Sequence, residues 1–320
     1  MSNKTFKVYV DKLGGTDASD YIADAGDLFY DPESLTLRIG DGNAGGQVIS
    51  QGTFGDTIGI GSHAGQSSQQ YGAIAIGLRA GQENQDDYSI AIGYQAQRYG
   101  RSGSGNGEET IAIGYNAGGS QQKYHAIAIG RDTGYWNQGW DAIAIGKGAG
   151  NQGQGYQSVA IGHYAADEYQ GYRSVAVGVG AGSTHQSNYS IAVGDNAGNY
   201  YQNEYAVAIG YQAGTQNQSQ RAIAVGKRAA QFGQNEYGIA IGFRAGGSNQ
   251  GYNSIAIGRS AGDTDQHANT IVFNAKSDTL NTVQEDSFYV NPIRSVSEIT
   301  GDMRSLHYNV VTKEIVYYNP

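Results

Sequence analysis

Short hydrophobic triplets recur along most of the chain at a fixed interval. Each has the form Ile/Val-x-Ile/Val and is followed by Gly, and these glycines lie 16 residues apart from Gly114 to Gly258. Between Gly93 and Gly114 the interval is five residues longer, in the segment RYGRSGSGNG, which we expect to form a surface loop. Apolar stretches this short, ended by Gly, predict β-strands and not helices.

The fixed interval predicts a stacked architecture. A 16-residue unit cannot bury its apolar side chains alone, so successive units must pack as coils of a solenoid. We therefore predict an all-β, parallel β-roll of about fourteen coils over residues 51–274, closed by a degenerate copy, IVFN, at 271–274. Strand-turn-strand patterns in LFYDPESLTLRI and LHYNVVTKEIVYYNP predict small β caps over residues 1–50 and 275–320.

The middle residue of the triplet is almost always Ala. Because side chains alternate across a strand, we expect the Ile and Val residues to form the core and Ala to point the opposite way. A face restricted to Ala indicates that another backbone approaches it closely, and a second copy of the chain is the natural candidate. The predicted inter-chain face contains Ala128, Ala144, Ala160, Ala176 and Ala192.

A Gln follows most of the glycines after eight residues. Amides stacked one coil apart can pass a donor to an acceptor along the rod, so the sequence predicts a structural ladder. The alternative is a row of amides that binds a linear ligand. The column includes Gln122, Gln138, Gln154, Gln170, Gln186 and Gln202.

An aromatic residue precedes most of the glycines by five or six positions. One interpretation is a ladder of rings that covers the edge of the coil, and the other is a platform that binds sugar rings. The candidate glycan-contacting residues are Tyr124, Trp140, Tyr156 and Tyr172 at this edge, with Tyr135 and Trp136 close by.

The composition narrows the classes of function. The chain has 50 Gly and no Cys, which excludes disulfides and thiolate metal sites. A net charge of −9 without clusters of Lys and Arg argues against a nucleic-acid partner. No apolar run is long enough for a signal peptide or a membrane span, so we expect a soluble product of the cytoplasm without membrane insertion.

Candidate catalytic residues are few. Asp87 and Glu108 fall in one column beside the insertion and could serve acid/base hydrolysis, but a solvated acidic edge is the expected interpretation. The six His residues have no metal-binding spacing, and no nucleophile elbow is present. We predict no catalytic residues, no metal, no cofactor and no enzymatic activity.

The repeated SIAIG, AIAIG and SVAIG units resemble the head repeats of YadA-like trimeric adhesins over about residues 56–274. That resemblance implies a left-handed roll and a homotrimer. The N-terminal GDLFYDPESLTLRIGDG resembles segments of bacteriophage tail fibres, notably those of cyanophages. HANTIVFNAKSDTLN and FYVNPIRSV resemble the segment that joins such repeats to an autoproteolytic chaperone domain in phage and giant-virus fibres.

Together these resemblances imply a structural fibre of a virion that supports attachment to a host cell. Its expected place is the virion surface, after synthesis in the host cytoplasm, and residues 1–50 would then be a cap or a virion-attachment domain. The implied partners are two further copies of the chain, other virion proteins and a host surface glycan or receptor. The alternatives are a fibre-borne glycan depolymerase and a cell-surface trimeric adhesin.

Overall fold

The computed structural model describes residues 57–99, 108–295, 306–313 and 315, together with the backbone of strands at 8–9, 28–31, 36–39, 47–51 and 316–317. Most of the predicted surface loop, residues 100–107, lies outside the described residues. The strands in chain order are β1 Val8–Tyr9, β2 Leu28–Asp31, β3 Thr36–Ile39, β4 Gln47–Gln51, β5 Ile58–Ile60, β6 Ile74–Ile76, β7 Ile90–Ile92, β8 Ile111–Ile113, β9 Ile127–Ile129, β10 Ile143–Ile145, β11 Gln152–Gln154, β12 Val159–Ile161, β13 Glu168–Gln170, β14 Val175–Val177, β15 Thr184–Gln186, β16 Ile191–Val193, β17 Tyr200–Gln202, β18 Val207–Ile209, β19 Gln216–Gln218, β20 Ile223–Val225, β21 Phe232–Gln234, β22 Ile239–Ile241, β23 Ser248–Gln250, β24 Ile255–Gly258, β25 Ile271–Asn274, β26 Phe288–Asn291, β27 Leu306–Tyr308 and β28 Ile315–Tyr317.

The hydrophobic triplets form one long parallel sheet, as the repeat predicts. This first sheet has 15 strands, and each pairs with the strand one coil away. Ile143 is opposite Val159, and Val159 is opposite Val175, so the register follows the 16-residue period. The insertion does not disturb the sheet, because Ile90 pairs with Ile111 across it. The fold is therefore a β-solenoid of about fourteen coils.

A second parallel sheet passes along the other side of the coil. Its seven strands are β11, β13, β15, β17, β19, β21 and β23, and each ends on a Gln of the predicted column. In the preceding coils the same positions make single bridges, such as Ser120 to Trp136 and Trp136 to Gln152. From β10 to β23 each coil thus contributes one strand to each sheet, whereas the earlier coils contribute a strand to the first sheet and a single bridge to the second.

The predicted assignment of inside and outside is wrong for the triplets. Ala128, Ala144, Ala160, Ala176 and Ala192 are fully buried inside the coil of a single chain, where they form the hydrophobic core with other alanines. The Ile and Val residues on either side point outward: Ile209 and Ile241 are 39% and 40% exposed. The alanines do not form an inter-chain face, because the coil of the chain itself covers them.

The interior of the coil is filled by two columns of Ala and by the Gln column. The buried Ala of each triplet shares it with a second Ala column, for example Ala149 and Ala165, and with the glutamines. The amide of Gln154 donates to the backbone oxygen of Ile143 at 2.8 Å. Because the same contact recurs in other coils, the Gln column fills the interior and satisfies backbone carbonyls that water cannot reach.

The glutamine ladder extends over half of the roll. From Gln154 to Gln266 each Nε2 donates to the Oε1 of the Gln in the next coil, at 2.8–3.2 Å. Gln122 and Gln138 are buried in the same column, but their Oε1 atoms and that of Gln154 have no hydrogen-bond partner. The predicted ladder is therefore continuous only beyond Gln154.

The glycine after each triplet is required by the stacking of the coils. Gly146 has φ +123°, and a Cβ built on it would lie 2.6 Å from the backbone oxygen of Gly162. Any side chain would therefore collide with the next backbone as well as adopt an unfavourable conformation. This explains why the column that defines the period is Gly in every full repeat.

Both ends of the chain contain the expected strand pairs. β2 pairs with β3, and β27 with β28, in antiparallel orientation. One strand was not expected: β26 extends the first sheet beyond β25, with Phe288 opposite Ile271. The apolar residues of FYVN alternate as those of IVFN do, which lets this segment continue the parallel register.

Enlarging a core alanine should destabilise the chain itself. In Ala160→Leu the new side chain has no space between Ala144 and Ala176, so we expect the free energy of unfolding to fall by about 1–3 kcal/mol or more per chain. Thermal unfolding followed by circular dichroism measures this change. The control is Lys147→Leu at an exposed position. Equal melting temperatures for the two variants would contradict the buried position of Ala160.

Candidate functional site

Four of the predicted glycan-contacting aromatics lie at one edge of the roll. Tyr124 and Trp140 pack edge to face, with ring centroids 6.4 Å apart. Tyr156 and Tyr172 are parallel at 4.9 Å, and Tyr172 packs edge to face on Tyr189 at 5.0 Å. We call this row the aromatic edge. Its rings cover one another, as the structural interpretation predicts, although Trp140 remains 55% exposed.

The aromatic edge continues toward the C-terminus with a cation in place of one ring. Arg221 lies between Tyr205 and Tyr237, with its guanidinium carbon 5.8 and 5.5 Å from their ring centroids. Its Nη1 also donates to the hydroxyl of Tyr237 and contacts Glu236. Cation–π contacts of this kind stabilise an exposed row modestly. Most rings of the aromatic edge therefore already have an aromatic or cationic neighbour within the chain.

The other two predicted aromatics, Tyr135 and Trp136, lie in a different place. Gln138 separates them along the chain from Trp140, and they line a surface cavity of about 400 Å³ that includes none of the aromatic edge. Their rings pack edge to face at 5.1 Å, and Trp136 is 48% exposed. The structure therefore divides the predicted set between the aromatic edge and this cavity, which we call the Trp136 cavity.

The Trp136 cavity exists because Gly148 has no side chain. The equivalent positions in the neighbouring coils carry Asn116, Asp132 and Tyr164, all of which line the cavity. The ring of Tyr164 extends over the gap, so that a Cβ on Gly148 would lie 2.5 Å from ring carbon Cδ1. Gly148, which has larger residues on both sides in this column, thus forms a pit between two aromatic rings.

Polar groups complete the lining of the Trp136 cavity. The carboxylate of Asp132 accepts hydrogen bonds from Asn116 at 3.0 Å and from Arg131 at 3.1 Å, so its charge is already paired. Lys147 has its ammonium nitrogen 5.4 Å from the ring centroid of Tyr164 and makes no ion pair with any described residue. The sequence did not single out Lys147, Gly148 or Tyr164, because the two residues after each triplet glycine form a corner of the coil that varies along the chain.

A second row of rings was also missed by sequence analysis. Tyr169, His185 and Tyr201 stack on the outer face of the second sheet, with successive centroids 5.2 Å apart. All three have positive φ, between 55° and 57°, at a position where other coils have small or polar residues, mostly Asn or Gly. That replacement, in three consecutive coils, is the signal that could have identified this row.

Asp87 of the predicted acidic pair takes part in hydrogen bonds between coils. Oδ1 of Asp87 accepts a hydrogen bond from the backbone nitrogen of Tyr71 at 2.9 Å, and its backbone oxygen accepts one from Glu109. Burial, followed by the nearby charges of Glu108 and Asp87, raises the pKa of Asp86 to about 6. Asp86 is therefore an acid with a raised pKa beside the insertion.

The pKa of Asp86 predicts a dependence of stability on pH. The folded chain holds the proton on the Asp86 carboxyl more tightly than the unfolded chain does. The stabilisation of the fold by protonated Asp86 is therefore complete below about pH 4 and disappears as pH rises through about 6. Asp86→Asn should therefore melt at a higher temperature than the natural chain at pH 7, and the difference should shrink toward pH 4. A difference that does not change with pH would contradict the assigned pKa.

Two kinds of site are not found in the described part of the chain. No group of three His, Cys, Asp or Glu side chains among those residues is placed to hold a metal ion. No helix there is long and apolar enough to cross a membrane.

Comparison with known families gives one match. Residues 170–197 match the YadA head domain repeat in two copies, over coils with complete strands in both sheets. Searches of curated proteins and of solved structures find no match. The chain therefore contains adhesin-like repeats, and the match covers only a small part of its length.

Proposed function

We propose that the chain is one subunit of a homotrimeric, adhesin-like fibre that attaches to a cell surface without enzymatic activity. The observation that carries this proposal is the outward row of Ile and Val on the first sheet, which we call the apolar stripe. It consists of the first and third residues of each triplet.

The apolar stripe is too extensive for a surface that remains in water. Its residues are half-exposed in coil after coil, for example Ile191 at 37% and Ile257 at 38%. The largest apolar patch on a typical monomer covers about 300–600 Å², whereas this stripe follows a 15-stranded sheet. A partner surface is needed to cover it.

Further copies of the same chain are the partners that fit best. The stripe repeats in register with each coil, so identical chains side by side can match Ile and Val at every level. The YadA head repeat at 170–197 supports three copies, because it is the repeat of trimeric adhesins. The second sheet and the aromatic rows would then remain available to a ligand.

For the carrier of the fibre we propose a virion. This finer proposal is supported by the likeness of residues 26–42 and 267–281 to phage fibre segments. A cell-surface adhesin is the alternative, and the YadA-like repeats favour it equally. Immunogold labelling of intact particles and of whole cells with an antibody against residues 51–274 distinguishes the two carriers.

Two measurements test the proposed function. Light scattering of the purified protein should give about three times the chain mass of 33.8 kDa. The protein should also bind to the surface of its target cells and release no oligosaccharide from their polysaccharide. A stable monomer at micromolar concentration would contradict the trimer, and released oligosaccharides would support the depolymerase alternative.

A further inference from the structure

We propose that the Trp136 cavity binds one acidic saccharide unit, with the sugar ring against Trp136 and its carboxylate at Lys147. This inference rests on the proposed attachment function and specifies the class of ligand. The cavity of about 400 Å³ lies within the range of roughly 300–1,000 Å³ of small-molecule sites.

The aromatic rings give the cavity its apolar walls. The indole of Trp136 is half-exposed at one side, and the ring of Tyr164, 38% exposed, leans over Gly148 at the other. The carbon-bound hydrogens on the face of a sugar ring pack well on such surfaces, while its hydroxyls remain accessible to polar groups. The two rings therefore favour a flat ligand with polar edges.

The polar lining favours a saccharide over an apolar ligand. Asn116, Asn151 and Gln152 place amides around the pit, and amides can both donate to and accept from hydroxyl groups. Gln152 is exposed and makes no side-chain hydrogen bond with any described residue. A nucleic acid would instead need a cluster of cations, which this chain with its net charge of −9 lacks.

Lys147 indicates an acidic sugar. Asp132 already has Arg131 and Asn116 as partners, so the remaining charge at the cavity is the ammonium of Lys147. A carboxylate on the ligand would give this cation a charge-assisted hydrogen bond, which is about twice as strong as a neutral one. The cavity should therefore prefer uronic or sialic acid units to neutral sugars.

The two tryptophans of the chain provide a direct test. In Trp140→Phe the only indole is that of Trp136, and we expect saturable fluorescence changes with oligogalacturonate, hyaluronan hexasaccharide or sialyllactose. In Trp136→Phe the only indole lies at the aromatic edge, and the same titrations should leave its emission unchanged. No saturable change with any of the three acidic probes, or equal responses of both indoles, would overturn the proposal.

Two further variants test the role of each group. In the Trp140→Phe background, Lys147→Gln should weaken the binding of the best acidic probe about tenfold. Lys227→Gln, at the equivalent position of a distant coil, should leave this binding unchanged. Gly148→Asn should abolish binding, and its fold should persist because the equivalent Asn116 and Asn196 also have positive φ. Unchanged binding by Lys147→Gln, or an equal affinity for lactose, would contradict the acidic class.

Failure of this inference can be separated from failure of the proposed function. Attachment to cells is measured with Trp136→Phe and Gly148→Asn beside the natural chain. If attachment is normal while the oligosaccharide titrations fail, the cavity proposal is wrong and the adhesin function remains. If the titrations succeed while attachment is absent, the proposed function is wrong and the saccharide site remains.

Discussion

Replacing Gln218 with Leu is expected to lower the free energy of unfolding by about 2–5 kcal/mol per chain. The Nε2 of Gln218 donates to the backbone oxygens of Val207 and Ala222 and to Oε1 of Gln234. Its Oε1 accepts a hydrogen bond from Gln202. Leu would leave several of these buried groups without partners, which is more costly than the loss of an exposed hydrogen bond.

The same strand offers a matched control for this prediction. Gln216 lies two residues earlier in β19, is exposed and makes no side-chain hydrogen bond with the described residues, so Gln216→Leu should change stability by less than about 0.5 kcal/mol. Gln138→Leu should have an intermediate effect, because Gln138 donates to two backbone oxygens but has no amide partner. Thermal unfolding ranks the three variants. Equal losses at Gln218 and Gln216 would show that the ladder does not stabilise the roll.

The sequence predicted the period, register and glutamine column because these depend on spacing alone. An offset of 16 between equivalent residues determines which side chains stack, whatever direction they point, and Gln170 and Gln186 stack accordingly. The residues that stack are therefore the same whether the column points into the coil or out of it. The same period also predicted the parallel first sheet.

The sequence could not determine which face of the triplet is inside. Alternation divides Ile and Ala between two faces, but it does not assign either of them to the core. Hydrophobicity alone favours Ile as the buried side chain. Because Gln already occupies the interior, the remaining width of the coil suits the smaller side chains of Ala160 and its equivalents. This width depends on the path of the whole coil and is not encoded in any single triplet.

The Trp136 cavity was hidden for a different reason. Trp136 and Tyr135 were noticed as aromatics, but the pit depends on the absence of a side chain at Gly148 in the next coil. In the sequence Gly148 lies at a position that varies from coil to coil, and it is one of 50 glycines, so nothing distinguishes it. Only the stacking of adjacent coils brings Lys147 and Tyr164 to the same place beside Trp136.

Placing charges in the apolar stripe is expected to abolish the proposed trimer. Ile209 and Ile241 are 39% and 40% exposed in the single chain. In the double variant Ile209→Asp and Ile241→Asp, each subunit would bring two carboxylates into a contact that we propose to be apolar. In a three-fold assembly the same residue of every subunit meets at one level, so like charges would be buried together, at a cost of several kcal/mol per ion.

Light scattering at micromolar concentration should then change from about three times 33.8 kDa to a single chain mass, or to aggregates. The control is the double variant Asn137→Asp and Asn217→Asp, which adds the same charge elsewhere. Both residues are exposed on the side of the second sheet and have a positive φ that Asp tolerates. This control should remain trimeric. If the stripe variant also remained trimeric with an unchanged melting temperature, the Ile and Val residues could not be the contact between subunits, and the copies would have to meet through another face of the roll.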